Sequence, residues 1–159
     1  MIITIQNNYL TIFVTLYSDF HFHTIRPMKK NIQIPSSLKY IHVIEEYIDE
    51  VRSEFNIDDS VYGNIHLAVV EAVTNAIIHG NKSDESKEIF FKSEKSDTTI
   101  RFIVKDQGKG FNADTIPDPT LPENREKISG RGVFLIKNLA DQVAFEENGT
   151  SLHMIFQLQ

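Results

Sequence analysis

Glu71-Ala72-Val73-Thr74-Asn75-Ala76-Ile77-Ile78-His79-Gly80-Asn81 closes a predicted helix. Two glycine clusters follow it, Asp106-Gln107-Gly108-Lys109-Gly110-Phe111 and Gly130-Arg131-Gly132-Val133. Asp58-Asp59-Ser60 is read as the cap of this helix. From there to about His79 it is apolar nearly all round, with Ile65, Leu67, Val69, Val70, Val73, Ala76 and Ile77. Such a helix is buried. Glu71 and Asn75 are four residues apart, so their side chains point about 40° apart on the helix. Ile78 and His79 continue that stripe. A glutamate and an asparagine on a buried helix are unfavourable unless they find partners. The pair either satisfies itself or lines a cavity. In a cavity, the asparagine oxygen is a suitable hard ligand for Mg²⁺. A carboxylate one turn away could take a proton from a hydroxyl or a water.

The glycine clusters are also ambiguous singly. Asp106, at the end of a predicted strand, could accept a hydrogen bond from the exocyclic amine of adenine, where guanine presents a repelling oxygen. Gly108 and Gly110 would let the backbone approach a flat base. The same residues make an ordinary turn. Gly130-Arg131-Gly132 precedes a predicted helix, whose free N–H groups suit phosphates, and Arg131 could add charge-assisted hydrogen bonds. There is no G-x-x-x-x-G-K-[ST] and no G-x-G-x-x-G after a strand. His79 reads as a helix-end histidine or a member of the same site. His21, His23, His42, His66 and His153 show no metal-ligand spacing. Phe90, Phe91, Phe102 and Phe134 read as core.

Outward from the helix, the pattern is that of one layered domain. Ile32 to Pro35 alternates like a short strand ended by its proline. Ser36 or Ser37 is a candidate helix cap. Ile41, Ile44, Ile48, Val51 and Phe55 then recur at helical spacing, with a charged outer face. Glu88 to Lys95 and Thr98 to Lys105 form a predicted antiparallel hairpin. In its second strand Ile100, Phe102 and Val104 face the core. Phe111 to Ser129 has three prolines and no helical period. Val133 to Ala140 is a third helix. Gln142 to Glu146 and Ser151 to Gln159 close the chain as a hairpin. The predicted fold is an α/β (α+β) two-layer sandwich, with about three helices on one face of a mixed, mostly antiparallel sheet.

The chain has 159 residues, 41% hydrophobic and 24% charged, with a net charge of -6 and no cysteine. That bounds it to one domain with one core. The acidic balance gives no support for a nucleic-acid surface, and a basic protein partner is compatible with it. The absence of cysteine excludes disulfides and cysteine-ligated zinc, and fits a reducing cytoplasm. No stretch reads as a membrane span. Residues 1–27 are rich in Ile, Phe, Tyr and Thr, make a poor signal peptide, and read as an added strand or an over-extended start. Met28-Lys29-Lys30-Asn31 is a more natural beginning for a 28–159 domain.

The ordered combination Glu-x-x-x-Asn, Asp-x-Gly-x-Gly and Gly-x-Gly resembles the Bergerat ATP-binding fold of the gyrase, histidine-kinase and MutL superfamily, over about Ile32 to Gln159. Gly149-Thr150 is similar to its late Gly-Thr element. Within that superfamily, Glu71 to Asn81, Pro117 to Thr120 and Gly130 to Ile136 resemble the anti-sigma-factor serine-protein kinases. The chain has no room for the additional domains of a histidine kinase, a gyrase or a MutL protein.

The resemblance implies roles for individual residues. Glu71 would be the general base and Asn75 the Mg²⁺ ligand. Asp106 would fix adenine with Gly108 and Gly110 close by. His79 would join the ATP pocket. Gly130, Arg131, Gly132 and Val133 would wrap the phosphates, Thr150 would support the adenine side, and Phe111 to Ser129 would be a lid. It further implies ATP and Mg²⁺ as cofactors and a cytoplasmic homodimer. Its partners would be a sigma factor and a STAS-type anti-anti-sigma protein, with no direct nucleic acid and no membrane. The alternatives are an ATP-binding regulatory module without significant turnover and a nucleotide-independent domain.

Overall fold

The computed structural model describes residues 29–112, 115, 116, 119 and 130–158. The expected 1–27 extension and most of the expected lid lie outside the described residues. Alternating apolar residues build five strands, β1 (Lys29–Pro35), β2 (Glu88–Lys95), β3 (Thr99–Lys105), β4 (Gln142–Glu146) and β5 (Ser151–Gln157). They form one sheet in the order β1-β2-β3-β5-β4. The sequence predicts a mixed, mostly antiparallel sheet, and all four pairings among the described residues are antiparallel. The β2–β3 hairpin pairs Phe91 with Val104 and Ser93 with Phe102. β5 enters between β3 and β4 and brings Ser151 opposite Lys105, so Thr150 lies beside Asp106.

Three helices form the second layer: α1 (Ile41–Phe55), α2 (Asp59–Asn75) and α3 (Arg131–Leu139). Asp58 caps α2, its carboxylate accepting from Ser60 N at 2.8 Å. Asn56, left-handed at φ 50°, ends α1. The expected serine cap is different in form. Ser37 stands before a short 3₁₀ turn, Leu38–Tyr40, without a side-chain cap bond, and Ser36 is fully buried, its Oγ without a hydrogen-bond partner among the described residues. α1 follows that turn instead of starting at the serines.

The core lies between the layers. Ile89, Phe91, Ile100, Phe102, Met154 and Phe156 of the sheet meet Ile44, Ile48, Ile65, Val69, Val73 and Ile136 of the helices. Each such side chain contributes about 1.5–3 kcal/mol by leaving water. Two apolar residues expected in the core are on the surface, Leu67 at 47% and Phe134 at 39% exposed. Leu67 shares the stripe of Glu71, where α2 turns away from the sheet. Asp59–Gly80, at 22 residues, is long and apolar enough to cross a membrane by length and composition, contrary to the expectation that no such stretch exists. Here Ile65, Ala68, Val69, Ala72 and Val73 of that segment are buried in the core, and a core helix passes the same test.

Candidate functional site

α2 does not end as a plain α-helix. Its last turn, Ala76–Gly80, widens into a π-turn, closed by Asn81 N donating to Ala76 O at 2.8 Å. π-turns of this kind occur at functional sites. Glu71 and Asn75 lie on the regular part of the helix. Asn75 Nδ2 donates to Glu71 Oε1 at 3.1 Å, and both residues are half-buried. The pair therefore satisfies itself in part, and Asn75 Oδ1 keeps its acceptor capacity.

α3 begins on this pair. Gly130 is left-handed at φ 90°, and its carbonyl accepts from Phe134 N at 2.9 Å. A Cβ at Gly132 would stand 2.0 Å from Glu71 Oε1 and 2.8 Å from Asn75 Nδ2, so a larger residue there would push both side-chain ends from their places. The first turn of α3, with exposed Arg131 and half-buried Val133, thus lies beside a carboxylate and an amide. Glu71, Asn75 and the Gly130–Val133 turn form one cluster.

Asp106 centres a second cluster, about one and a half turns beyond Asn75 at the C-terminal end of the same helix. Its backbone N donates to Thr150 O at 2.9 Å, and its Oδ1 accepts from Gly108 N at 2.7 Å. A Cβ at Gly80 would stand 2.5 Å from the Asp106 carboxyl carbon, and one at Gly108 would stand 2.3 Å from Gly80 O. The carboxylate therefore seats against bare backbone at the π-turn. Burial is the main influence on it and raises its pKa above the ordinary aspartate value; the Gly108 N–H and the charge of Lys87 act against this. Gly110 lies against Asn148 O and Thr150 Cγ2, and Thr150 Oγ1 donates to Glu147 O at 2.9 Å. Gly80 is nine residues from Glu71 and five from Asn75, about 13 Å and about 7 Å along a helix, which separates the two clusters. His79 is exposed on the π-turn and, among the described residues, has no hydrogen-bond partner.

Gly80 as a seat for Asp106, Lys87 as a nearby charge and fully buried Asn81 are not predicted by the local sequence. Asn81 follows a glycine at a helix end, so it reads as a turn residue, and no local signal marks its long-range bonds. A surface cavity of about 910 Å³ beside the end of α1 and the start of α2, lined by residues including Arg52, Asn56, Asp58 and Lys95, shares no residue with either cluster.

The donor set is suited to a metal that arrives with its ligand. Among the described residues no group of three or more His, Asp or Glu could hold an ion. A single amide oxygen at Asn75 is what Mg²⁺ needs when phosphates and waters complete its shell.

The family model described as "Histidine kinase-like ATPase domain" matches residues 34–156. The serine-protein kinase RsbW of Staphylococcus epidermidis is 31% identical over 132 residues, covering 78% of this chain and 83% of that protein. The RsbW of Staphylococcus aureus strain JH9 is 27% identical over 133 residues, covering 77% and 82%. A crystal structure of the RsbU and RsbW domains of a Mycobacterium tuberculosis protein aligns with a TM-score of 0.58 at 16% identity, covering 83% of this chain and 32% of that one. The chain spans about a third of that protein, and the likeness is one of fold.

Proposed function

The chain belongs to the histidine kinase-like ATPase domain family, and we propose that it is an ATP-dependent serine-protein kinase acting as an anti-sigma factor. On this reading it phosphorylates a STAS-type anti-anti-sigma partner, binds a sigma factor, and works as a cytoplasmic homodimer built on residues 28–159. The observation that carries the reading is the pairing of two clusters on one helix. Glu71 and Asn75 meet the start of α3, and the Asp106 carboxylate rests on Gly80 a short way further along the helix. The names of the RsbW relatives support the kinase assignment.

Each residue then has a task. Asp106 accepts the adenine N6–H, and Gly108 leaves the base room beside it. The α3 N–H groups and Arg131 bind phosphate oxygens. Asn75 would hold Mg²⁺ through its amide oxygen, and the ion would supply neutralisation of phosphate charge. Glu71 takes the proton of the substrate serine hydroxyl as its oxygen bonds to the γ-phosphorus and the bond to the ADP oxygen breaks. Positioning and charge compensation carry such a transfer.

The test has two parts. Melting temperature is measured with ATP·Mg and with GTP·Mg, since a ligand that binds only the folded state raises it. Labelled γ-phosphate is then followed onto a serine of a candidate anti-anti-sigma protein. A rise with ATP together with transfer supports the kinase. A rise without transfer leaves a regulatory ATP-binding module, and no rise with either nucleotide rejects the reading.

A further inference from the structure

Fully buried Asn81 closes a ring of hydrogen bonds around the base end of the site. Its Oδ1 accepts from Gln107 N at 2.8 Å and its Nδ2 donates to Glu88 O at 3.0 Å. Gln107 Oε1 in turn accepts from Glu88 N at 2.8 Å. The orientation of the Asn81 amide is fixed by its partners, because Gln107 N can only donate and Glu88 O can only accept. The ring joins three segments far apart in sequence: the end of α2, the first residue of β2 and the loop that follows β3.

This ring brackets Asp106. Gln107 is its immediate neighbour, and Gly80, on which its carboxylate rests, is the neighbour of Asn81. The Asp106 N–H is held on the other side by Thr150 O. The π-turn matters to this arrangement, because its closing bond, Asn81 N to Ala76 O, aims the buried amide at the 106–108 loop.

We propose that Asn81 is a positioning residue that holds the Asp106 carboxylate in register with the Glu71–Asn75 helix and thereby sets the preference for adenine over guanine. The proposal rests on the ATP-binding reading above. Asn81 touches no nucleotide itself and acts through Gln107 and Gly80. Discrimination between an amine and a carbonyl on a purine depends on where one carboxylate oxygen stands. A group left loose by its supporting shell no longer meets the adenine amine squarely, which weakens ATP while leaving GTP, which lacks that bond, little changed.

The experiment measures Kd for ATP·Mg and GTP·Mg on the wild type, Asn81→Ala, the milder Asn81→Ser, and Ser93→Ala as a stability control. Ser93 lies on β2, is buried and bonds Tyr47. All are measured well below their melting temperatures. The expected result is an ATP/GTP preference reduced about tenfold in the Asn81 variants, the scale of one well-placed hydrogen bond, with GTP affinity little changed. Ser93→Ala keeps the wild-type ratio. Asn81→Ser, which keeps a polar group in place, folds if Asn81→Ala does not. A wild-type ratio in a folded Asn81 variant overturns the proposal. Loss of both affinities in proportion makes Asn81 merely structural and overturns it too. A wild type with no preference for ATP rejects the nucleotide reading itself and is seen before any variant is made.

Discussion

Gly132 approaches Glu71 so closely that a Cβ there would stand 2.0 Å from the Glu71 Oε1. This contact couples the start of α3 to the carboxylate on α2, and it has room for nothing larger than hydrogen. The glycine is set by proximity to a functional group, since α3 is already helical at that point.

Gly132→Ala should therefore damage the site more than the packing. The atoms that a Cβ would meet are the ends of the Glu71 and Asn75 side chains, which can move aside, so the loss of stability should be small. Phosphate transfer should fall further than stability accounts for, because Glu71 and the Asn75 amide must both shift. A variant with wild-type transfer would show that the contact is incidental.

Glu71→Ala separates binding from chemistry. Glu71 contacts Asn75 and Gly132, and the contacts of Asp106 with Gly80, Gly108 and Thr150 do not involve it. The ATP-dependent rise in melting temperature should persist while transfer falls by about 10²–10⁴-fold, the usual contribution of a general base. Equal transfer by variant and wild type would remove Glu71 from the proposed role.

The buried pair Tyr47–Ser93, with oxygens 2.6 Å apart, joins α1 to β2 beneath Phe91. Tyr47→Phe leaves the Ser93 hydroxyl without this partner and should lower stability by about 1–3 kcal/mol. Adding Ser93→Ala should restore much of that loss, because removing both partners removes the unsatisfied group. Chemical denaturation of the two singles and the double measures the coupling. Additive losses would mean that the bond contributes little.

How much of this was legible depended on how local the signal was. β2 carries its alternation in its own residues and was read as Glu88 to Lys95, where it stands. α1 ends at Phe55 as its spacing predicted, and Asp58 caps α2. Glu71, Asn75 and the glycine turn of α3 come together as the motif order suggested. The π-turn was read as a plain helix end, because an i to i+5 bond leaves no mark in hydrophobic spacing. Asn81 was passed over because its partners are 7 and 26 residues away. Leu67 and Phe134 read as core because apolar residues usually are. Their exposure follows from where α2 and α3 face outward, which is set by helix packing beyond any one segment.

The last prediction turns on the charge of Asp106. Burial raises its pKa in the folded protein, outweighing the Gly108 N–H and Lys87. A group with a raised folded pKa binds more protons when folded than when unfolded. Its stabilising contribution is present at pH below the unfolded value and is lost as pH rises through the folded value. At neutral pH the ionised Asp106 therefore works against the fold. Asp106→Asn keeps an oxygen for Gly108 N and removes the charge, so the ligand-free variant should melt above the wild type at about pH 7.5, with the difference closing as pH falls toward about 4. The same variant should lose the ATP-dependent rise, because an amide can turn its donor toward the adenine amine. Asp58, Asp84 and Glu85 carry lowered values through their own hydrogen bonds and ion pairs. They make both proteins less stable in acid and cancel in the difference between them. Melting curves of both proteins across this range, with and without ATP·Mg, measure both effects. A difference in melting temperature that does not change with pH would show that the buried charge is not its cause. An ATP-dependent rise that survives the substitution would remove Asp106 from the adenine site.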